Sequence, residues 1–492
     1  MTVQGFWDGD NIWKIRFSPT ASGSWSYETS SSDRGLNGIS GSLEAVEPTG
    51  EDLSTNPLNH GFLEANGYSW KLSDGTPFLP VGDTQWSFAE EMTTGEWERW
   101  MRARHAQGFN SFLGTVWLAI YDRPEATQPP FPGSDPTTGN LQVAYFQRLD
   151  HLVAYANDQG IMMGLAIGGF PGNSKWFALF QNRENNDRWF KYVVDRYAAY
   201  NVRWVLYGEA NDANPPWGGT WQDEVAHSAQ LVKEEDPYDH PVGSHHSTVD
   251  LSSAPDPNID FIEVQIERTE RQFKTALMLR KYKKPIWFEE YWYEARTRDD
   301  EVELGIRNTH RNFIAAMAFP TMGSLMRDHY PYFRIGEVES DPGAIRMCYF
   351  ESFYKGLDMQ NFSPATDLVS TGQGGRFGDD FAIFLQRGGS VMIDLRNVEG
   401  SFAVKRLDIN SGNVDSLDPI LGGDIRKLDS RTNHDVAILL INESDSRGIQ
   451  TSVFDVAGVS SVSAQNLFDR FSQFFPVILR SNVSQAPVSC NP

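Results

Sequence analysis

The sequence predicts an α/β fold: a (β/α)8 TIM barrel flanked by a partial N-terminal β-sandwich and a small C-terminal all-β domain. Three observations predict it. Between Asn59 and Leu357, eight short apolar runs alternate with helical patterns, the signature of repeated βα units around a parallel sheet. Before them, apolar and polar residues alternate about a Ser/Pro/Gly turn; after Phe362, strand signals return between Gly, Asp and Asn. At 492 residues the chain is also too long for one ordinary core.

Residues 1–60 are read as the partial β-sandwich. Their text NIWKIRFSPTASGSWSYET, from Asn11 to Thr29, predicts a hairpin in which Trp13, Ile15 and Phe17 share one face and Trp25 and Tyr27 answer on the next strand. Gly35 to Val46 continues the pattern, and the sandwich begins in mid-fold.

Residues 61–361 are read as the barrel, a span that accommodates the usual size of about 250 residues or more. The predicted strands are Phe78 to Val81, Ser111 to Val116, Ile161 to Ala166, Trp204 to Tyr207, Pro241 to Ser244, Phe261 to Gln265, Ile286 to Glu289 and Ala318 to Gly323. Amphipathic helices fall between them. One covers Gly95 to Ala106 behind a Thr93/Glu96 capping box, and another covers Val143 to Ala156 with Tyr145, Leu149, Leu152 and Val153 on one stripe.

Residues 362–445 are read as the C-terminal β-sandwich domain, from FAIFLQ, SVMIDLR, FAVKRLDI and DVAILLIN. Residues 446–492 form a tail in which Leu467, Phe468, Phe471, Phe474, Phe475 and Ile478 keep a helical spacing that Pro476 interrupts, predicting a short docked helix.

Composition narrows the function. With 65 acidic against 42 basic residues, the formal charge of -23 repels phosphate backbones, so no nucleic-acid partner is expected. Only Cys348 and Cys490 are present, far apart, which predicts neither a disulfide framework nor a cysteine metal site. No apolar run reaches membrane-spanning length, and MTVQGFWDGDN lacks the regions of a signal peptide. The chain reads as cytoplasmic, or as secreted or periplasmic if a leader has been removed. Fifteen Trp residues suit the stacking of sugar rings, although most Trp residues serve packing.

In a β/α barrel the reactive groups gather at the carboxyl ends of the strands. RWVLYGEAND ends the fourth predicted strand on Glu209, and KKPIWFEEYWYE ends the seventh on Glu289 and Glu290. Side chains alternate along a strand, so one of those two glutamates faces the mouth and meets Glu209 across the barrel. Two carboxylates across a cleft are what glycoside hydrolysis needs, one protonated to donate to the leaving oxygen and one ionised. The bland alternative is a pair of salt-bridged surface acids.

Other strand ends offer groups for a hydroxyl-rich substrate: Asp83 and Trp86 in VGDTQW, Asn110 in GFNSF, Asn211 in GEAND, His245 and His246 in GSHHS, and Gln265 in EVQIE. Asp83 is equally suited to capping the next helix. Trp117, Tyr291 and Trp292 are further sugar platforms, or plain packing. Adjacent His residues on a strand point apart, so neither a metal nor any other cofactor is expected.

These motifs together carry a resemblance. TPFLPVGDTQW, VAYFQRLDHLVAYANDQGI, VRWVLYGEAND, EVQIE and ESDPGAIRMCYFESFYKGL resemble the apiosidase-like family of glycoside hydrolases, in the broad group of retaining (β/α)8 enzymes. GFWDGDNIWKIRFSPTASGSWSYET with NHGFL is similar to the β-sandwich that often precedes that barrel, and Phe377 to Val414 to the small β-domain that often follows it. The resemblance implies hydrolysis of a plant or microbial polysaccharide or oligosaccharide. It puts the acid/base on Glu209, after Gly208, and matches the seventh-strand pattern to Glu290 and Glu294, making Glu290 the nucleophile and Glu289 the runner-up. Tyr291 departs from the family's Pro, Glu209 stands where many members carry Asp, and AFPTMGSLM lacks the common eighth-strand pattern. The rival expectations are a non-catalytic carbohydrate-binding barrel and a barrel enzyme of another kind; a lyase would need a Tyr or Lys base that these strand ends do not supply.

Overall fold

The computed structural model describes the chain except for residues 120–128, 174, 248–251, 266–268, 291–292, 296–323, 329–337, 341, 355 and 444–492. Within strands and helices it does not describe the side chains of residues 264, 269–272, 289–290, 293–295, 324–328 and 342. The predicted strand Ala318 to Gly323, Trp292 and the tail helix lie outside the described residues.

Among the described residues, nine strands in parallel ladders organise the centre: β1 (Gly82–Thr84), β2 (Ser111–Thr115), β3 (Met162–Ala166), β4 (Val202–Val205), β5 (Val242–Gly243), β6 (Ile262–Gln265), β7 (Ile286–Glu290), β8 (Tyr293–Ala295) and β9 (Ser324–Asp328). One sheet holds them in the order β5, β4, β3, β2, β1, β9, β8, while β6 pairs with β7. The chain leading into β6 is tied to β5: the Asp260 N–H donates to the Val242 carbonyl at 2.8 Å, and the Val242 N–H donates to Asp260 Oδ2 at 2.8 Å. Every residue of β2 and β3 is buried, as continuous apolar runs in a parallel sheet require.

Helices α1 (Thr94–Ala106), α2 (Val143–Asp158), α3 (Arg183–Tyr197), α4 (Trp221–Glu235), α5 (Thr269–Leu279) and α6 (Pro342–Tyr354) fall between and after the strands. The Thr93/Glu96 capping box forms as expected. The stripe of α2 is buried through Tyr145, Leu149, Leu152 and Val153, joined by Phe146 and Ala156. Burial of each of Phe146, Leu149, Leu152 and Val153 contributes about 1.5–3 kcal/mol. Trp97 Nε1 donates to the Leu152 carbonyl at 2.8 Å, so the aromatic core is satisfied as well as packed.

Two expectations are corrected. Phe78 does not begin the first parallel strand: Pro77–Phe78 pairs antiparallel with Trp70–Lys71, and β1 starts at Gly82. Pro80, which has no N–H to give a ladder, lies between the two. The hairpin predicted over Asn11 to Thr29 is also absent. Trp13–Lys14 instead pairs with Phe6–Trp7 across a bend in which Gly9 and Asp10 take positive φ, and Gly23–Glu28 pairs with Ser40–Ala45. The Phe17 and Trp25 rings still meet, with centroids 5.0 Å apart.

This leading segment is pinned to the helices by charge. Arg196 of α3 is buried and donates to Asp8 at 2.7 Å and to Asp150 of α2 at 2.6 Å, while the Phe6 ring lies 4.6 Å from its guanidinium. Burial opposes both charges, but their hydrogen bonds prevail, holding Arg196 above its ordinary pKa and Asp8 below its own.

Beyond the parallel strands, all four predicted C-terminal runs are strands. A six-stranded antiparallel sheet includes Asp380–Leu385, Ser401–Asp408 and Val436–Asn442, and Ser390–Asp394 pairs with Ile425–Asp429. Phe350, Phe353 and Tyr354 of α6 pack with Phe377, Phe384 and Leu407 of this sheet. Cys348 on α6 is buried and disulfide-bonded. Among the described residues no helix is long and apolar enough to cross a membrane.

Candidate active site

The turn after β4 is built around Glu209. Beyond Val205 the chain stays paired with the segment after β5: the Leu206 N–H donates to the Gly243 carbonyl at 2.9 Å, and the His245 N–H donates to the Tyr207 carbonyl at 3.1 Å. The Ala210 N–H then donates to the His245 carbonyl at 2.8 Å. Between those last two bonds lie Gly208 and Glu209. A Cβ on Gly208 would come within 2.6 Å of the Phe170 ring. Glu209 has φ +47° and ψ +50°, the left-handed region that disfavours a side chain. Such strained residues cluster at functional sites. Its carboxylate is half-buried, and Oε2 accepts from Asn173 Nδ2 at 2.9 Å.

The neighbouring strand ends contribute four more of the expected residues. Asn211 Oδ1 accepts from the Ser247 N–H at 2.9 Å, fastening the β4 loop to the β5 loop. His245 and His246 point apart: the His245 ring meets Trp86 at 5.0 Å, whereas His246 shares a 3.0 Å hydrogen bond with Ser253 and packs beside Trp221. Among the described residues no group of three or more His, Cys, Asp or Glu could hold a metal ion. Trp86 is buried between His245 and Phe170, whose ring centroid is 5.0 Å away, and its Nε1 has no hydrogen-bond partner among the described residues.

Gln265 ends β6 in register with Glu290 at the end of β7, and Gln265 Oε1 is likewise buried without a partner among the described residues. Glu289 and Glu290 therefore sit at the carboxyl end of their strand by backbone, and their side chains are outside the described residues.

Three predicted substrate contacts are placed elsewhere. Asp83 is buried and accepts from Trp100 Nε1 at 2.9 Å and Arg104 Nε at 2.5 Å, so it anchors α1 and does not face the mouth. Asn110 precedes β2 and sits at its amino end, where Oδ1 accepts from the Val81 N–H at 2.8 Å and Nδ2 donates to the Leu79 carbonyl at 2.8 Å. Trp117 is buried among Phe131, Trp176, Phe180 and Trp189, a core position with no face left for a sugar.

Sequence reasoning missed five residues around the site. Phe170 and Asn173 come from the loop after β3. Arg203 and Glu263 are buried charges inside β4 and β6, visible in the text as the odd letters in VRWV and IEVQ. The last is Glu90, beyond β1, whose Oε2 accepts from the Leu118 N–H at 2.7 Å. Glu90 is half-buried, and burial, opposed by backbone N–H groups of Leu118 and Ala119, pushes its carboxyl up to about 8.

Comparison with known proteins bears on this arrangement. A family model described as the apiosidase-like catalytic domain matches residues 64–317, a little over half the chain, and a model for a domain of unknown function matches residues 1–32. No curated protein matches. Among solved structures, a protein of Bacteroides vulgatus provisionally assigned as a glycoside hydrolase is 22% identical, with a TM-score of 0.71, over 89% of this chain and 92% of its own. A glycoside hydrolase family 5 protein of the same organism is 14% identical, with a TM-score of 0.68, over 80% of this chain and 95% of its own. Another glycoside hydrolase is 16% identical, with a TM-score of 0.67, over 79% of this chain and 99% of its own. At these identities the likeness is one of fold.

Proposed function

The chain belongs to the apiosidase-like family and is a glycoside hydrolase, and from that premise we propose that it cleaves O-glycosidic bonds of a plant or microbial polysaccharide or oligosaccharide with retention, using Glu209 and Glu290. The observation that carries this reading is the turn at Glu209: a strained, half-buried carboxylate at the carboxyl end of β4, oriented by Asn173. The backbone register that sets Glu290 beside Gln265 at the end of β7 supports it as the partner, with Glu289 as the alternative.

In this mechanism the Glu290 carboxylate attacks the anomeric carbon while Glu209 gives its proton to the departing glycosidic oxygen. Water then attacks the glycosyl ester, with Glu209 taking its proton, and Glu290 leaves as carboxylate. Retention calls for carboxyl groups about 5–5.5 Å apart, against about 6.5–9.5 Å for inversion. Closure of the strands into an eight-stranded barrel belongs to the same proposal: β8 continues β7 after two residues and pairs with β9, and Asp260 links the start of β6 to β5. So does division into a leading β unit over 1–60, a catalytic unit over 61–361, a C-terminal β unit over 362–445 and a tail.

The test is a screen of plant and microbial glycans with the wild type, Glu209→Gln and Glu290→Gln, scoring reducing ends and following the anomeric proton by NMR. Removing the acid is expected to lower kcat about 10²–10⁴-fold on unactivated glycosides, and the first product is expected to keep the anomeric configuration of the substrate. Undiminished turnover in both variants would sink the assignment, and an inverted first product would sink retention.

A further inference from the structure

We infer that His245 is the positioning residue of the Glu209 turn, held in place from beneath by Glu263 and Arg203. The inference rests on reading Glu209 as the acid. Its first support is the backbone: the N–H and C=O of this one residue bond to Tyr207 and Ala210, the residues on either side of Gly208 and Glu209. Whatever fixes His245 therefore fixes both ends of a turn whose left-handed residue would otherwise relax.

The side chain supplies that fixing. The imidazole is buried, and its Nδ1 lies 3.2 Å from Glu263 Oε1, ion-pair distance although off the angle of a good hydrogen bond. Glu263 is also buried, and its Oε2 lies 3.5 Å from Arg203 Nη1. The Arg203 guanidinium lies 3.9 Å over the Trp287 ring, in space that Gly164 leaves open: a Cβ there would come within 2.8 Å of Arg203 Nη2. Ionisable groups from β4, β6 and the end of β5 thus form one chain through the interior. Trp86 covers the imidazole, rests on Phe170, and Phe170 abuts Gly208, so the contacts return to the turn they began from.

A buried charged chain costs desolvation that an apolar core would avoid, and removing one partner leaves the others uncompensated. Its presence beneath the left-handed turn at Glu209 is explained by registry: the charged partners select one seat for His245, and the seat selects the geometry of Glu209. An apolar side chain would fill the volume without choosing that seat.

Hydrogen–deuterium exchange on the full chain tests this without any substrate. In Glu263→Gln and His245→Asn, amides of the segment 206–212 should exchange at least ~10-fold faster than in the wild type while the amides of β2 and β3 keep their rates. Asp83→Asn, which breaks an equally buried ion pair at α1, should leave the segment unchanged. Unchanged exchange of 206–212 in both variants overturns the inference, as does a rise shared equally by β2 and β3. If His245→Asn does not fold, the near-isosteric Glu263→Gln decides alone. Reducing-end release from plant cell-wall polysaccharide by Glu209→Gln is scored in parallel: retained turnover there defeats the acid reading and leaves the exchange result standing.

Discussion

Gly208 has no side chain because the Phe170 ring occupies the place where one would go, at 2.6 Å from an added Cβ. Gly208→Ala must therefore push Phe170 and with it Trp86, and the expected result is a loss of 1–3 kcal/mol or more from overpacking, about that of inserting a methylene into a full core. Urea melts would show it; a midpoint equal to wild type would mean that the ring moves freely. Glu90 gives a prediction in pH. Its folded carboxyl is pushed up to about 8, well above the ordinary value of 4.5, so in that interval the folded chain keeps a proton that the unfolded chain has lost. Its contribution is whole below pH 4.5, and stability falls as pH rises towards 8. Glu90→Gln, which stays neutral, is expected to flatten that slope in denaturation midpoints measured from pH 5 to 8. An identical slope in both proteins would place the proton elsewhere. Trp117 belongs here too: buried among four aromatic rings, it should cost about 3–5 kcal/mol on truncation to Ala, a core effect with no need of a sugar.

The elements show which local signals are sufficient. α1 was legible to within a residue because its start is written in chemistry, Thr93 and Glu96 capping one another's backbone. Thr93→Ala is expected to cost about 1 kcal/mol in thermal or chemical unfolding, since an N-cap acceptor is lost while the helix face stays packed; no measurable change would mean that packing alone fixes the helix start. β2 and β3 were legible because buried parallel strands are continuous apolar runs. The first hairpin was not, because its pairing is decided by partners outside the window: Phe6–Trp7 reaches Trp13 through a bend at Gly9 and Asp10, and Ser40–Ala45 claims the strand at Trp25. The same limit governs the site. Glu209 stood out as a carboxylate ending an apolar run, but no run says at which end of a strand Asn110 falls or which way Asp83 turns. Arg203 and Glu263 are not legible because a single charge inside a strand has the text of an exposed edge, and only packing shows that both are covered.

At the scale of the whole molecule, different layers are held by different forces. The leading segment is fastened to α2 and α3 by the buried Arg196, Asp8 and Asp150 cluster, the centre by aromatic packing, and the last sheet by its apolar contact with α6. The disulfide at Cys348 adds a covalent tie. Thiol titration of the denatured, unreduced chain should find no free thiol, and reduction should lower the melting temperature; two titratable thiols would contradict the bond. That tie has a further consequence. Because α6 carries both the disulfide and the apolar face that seats the last sheet, reduction acts on the helix that holds that sheet in place. Limited proteolysis should then cut residues 362–443 sooner after reduction than before it, while the parallel strands keep their resistance.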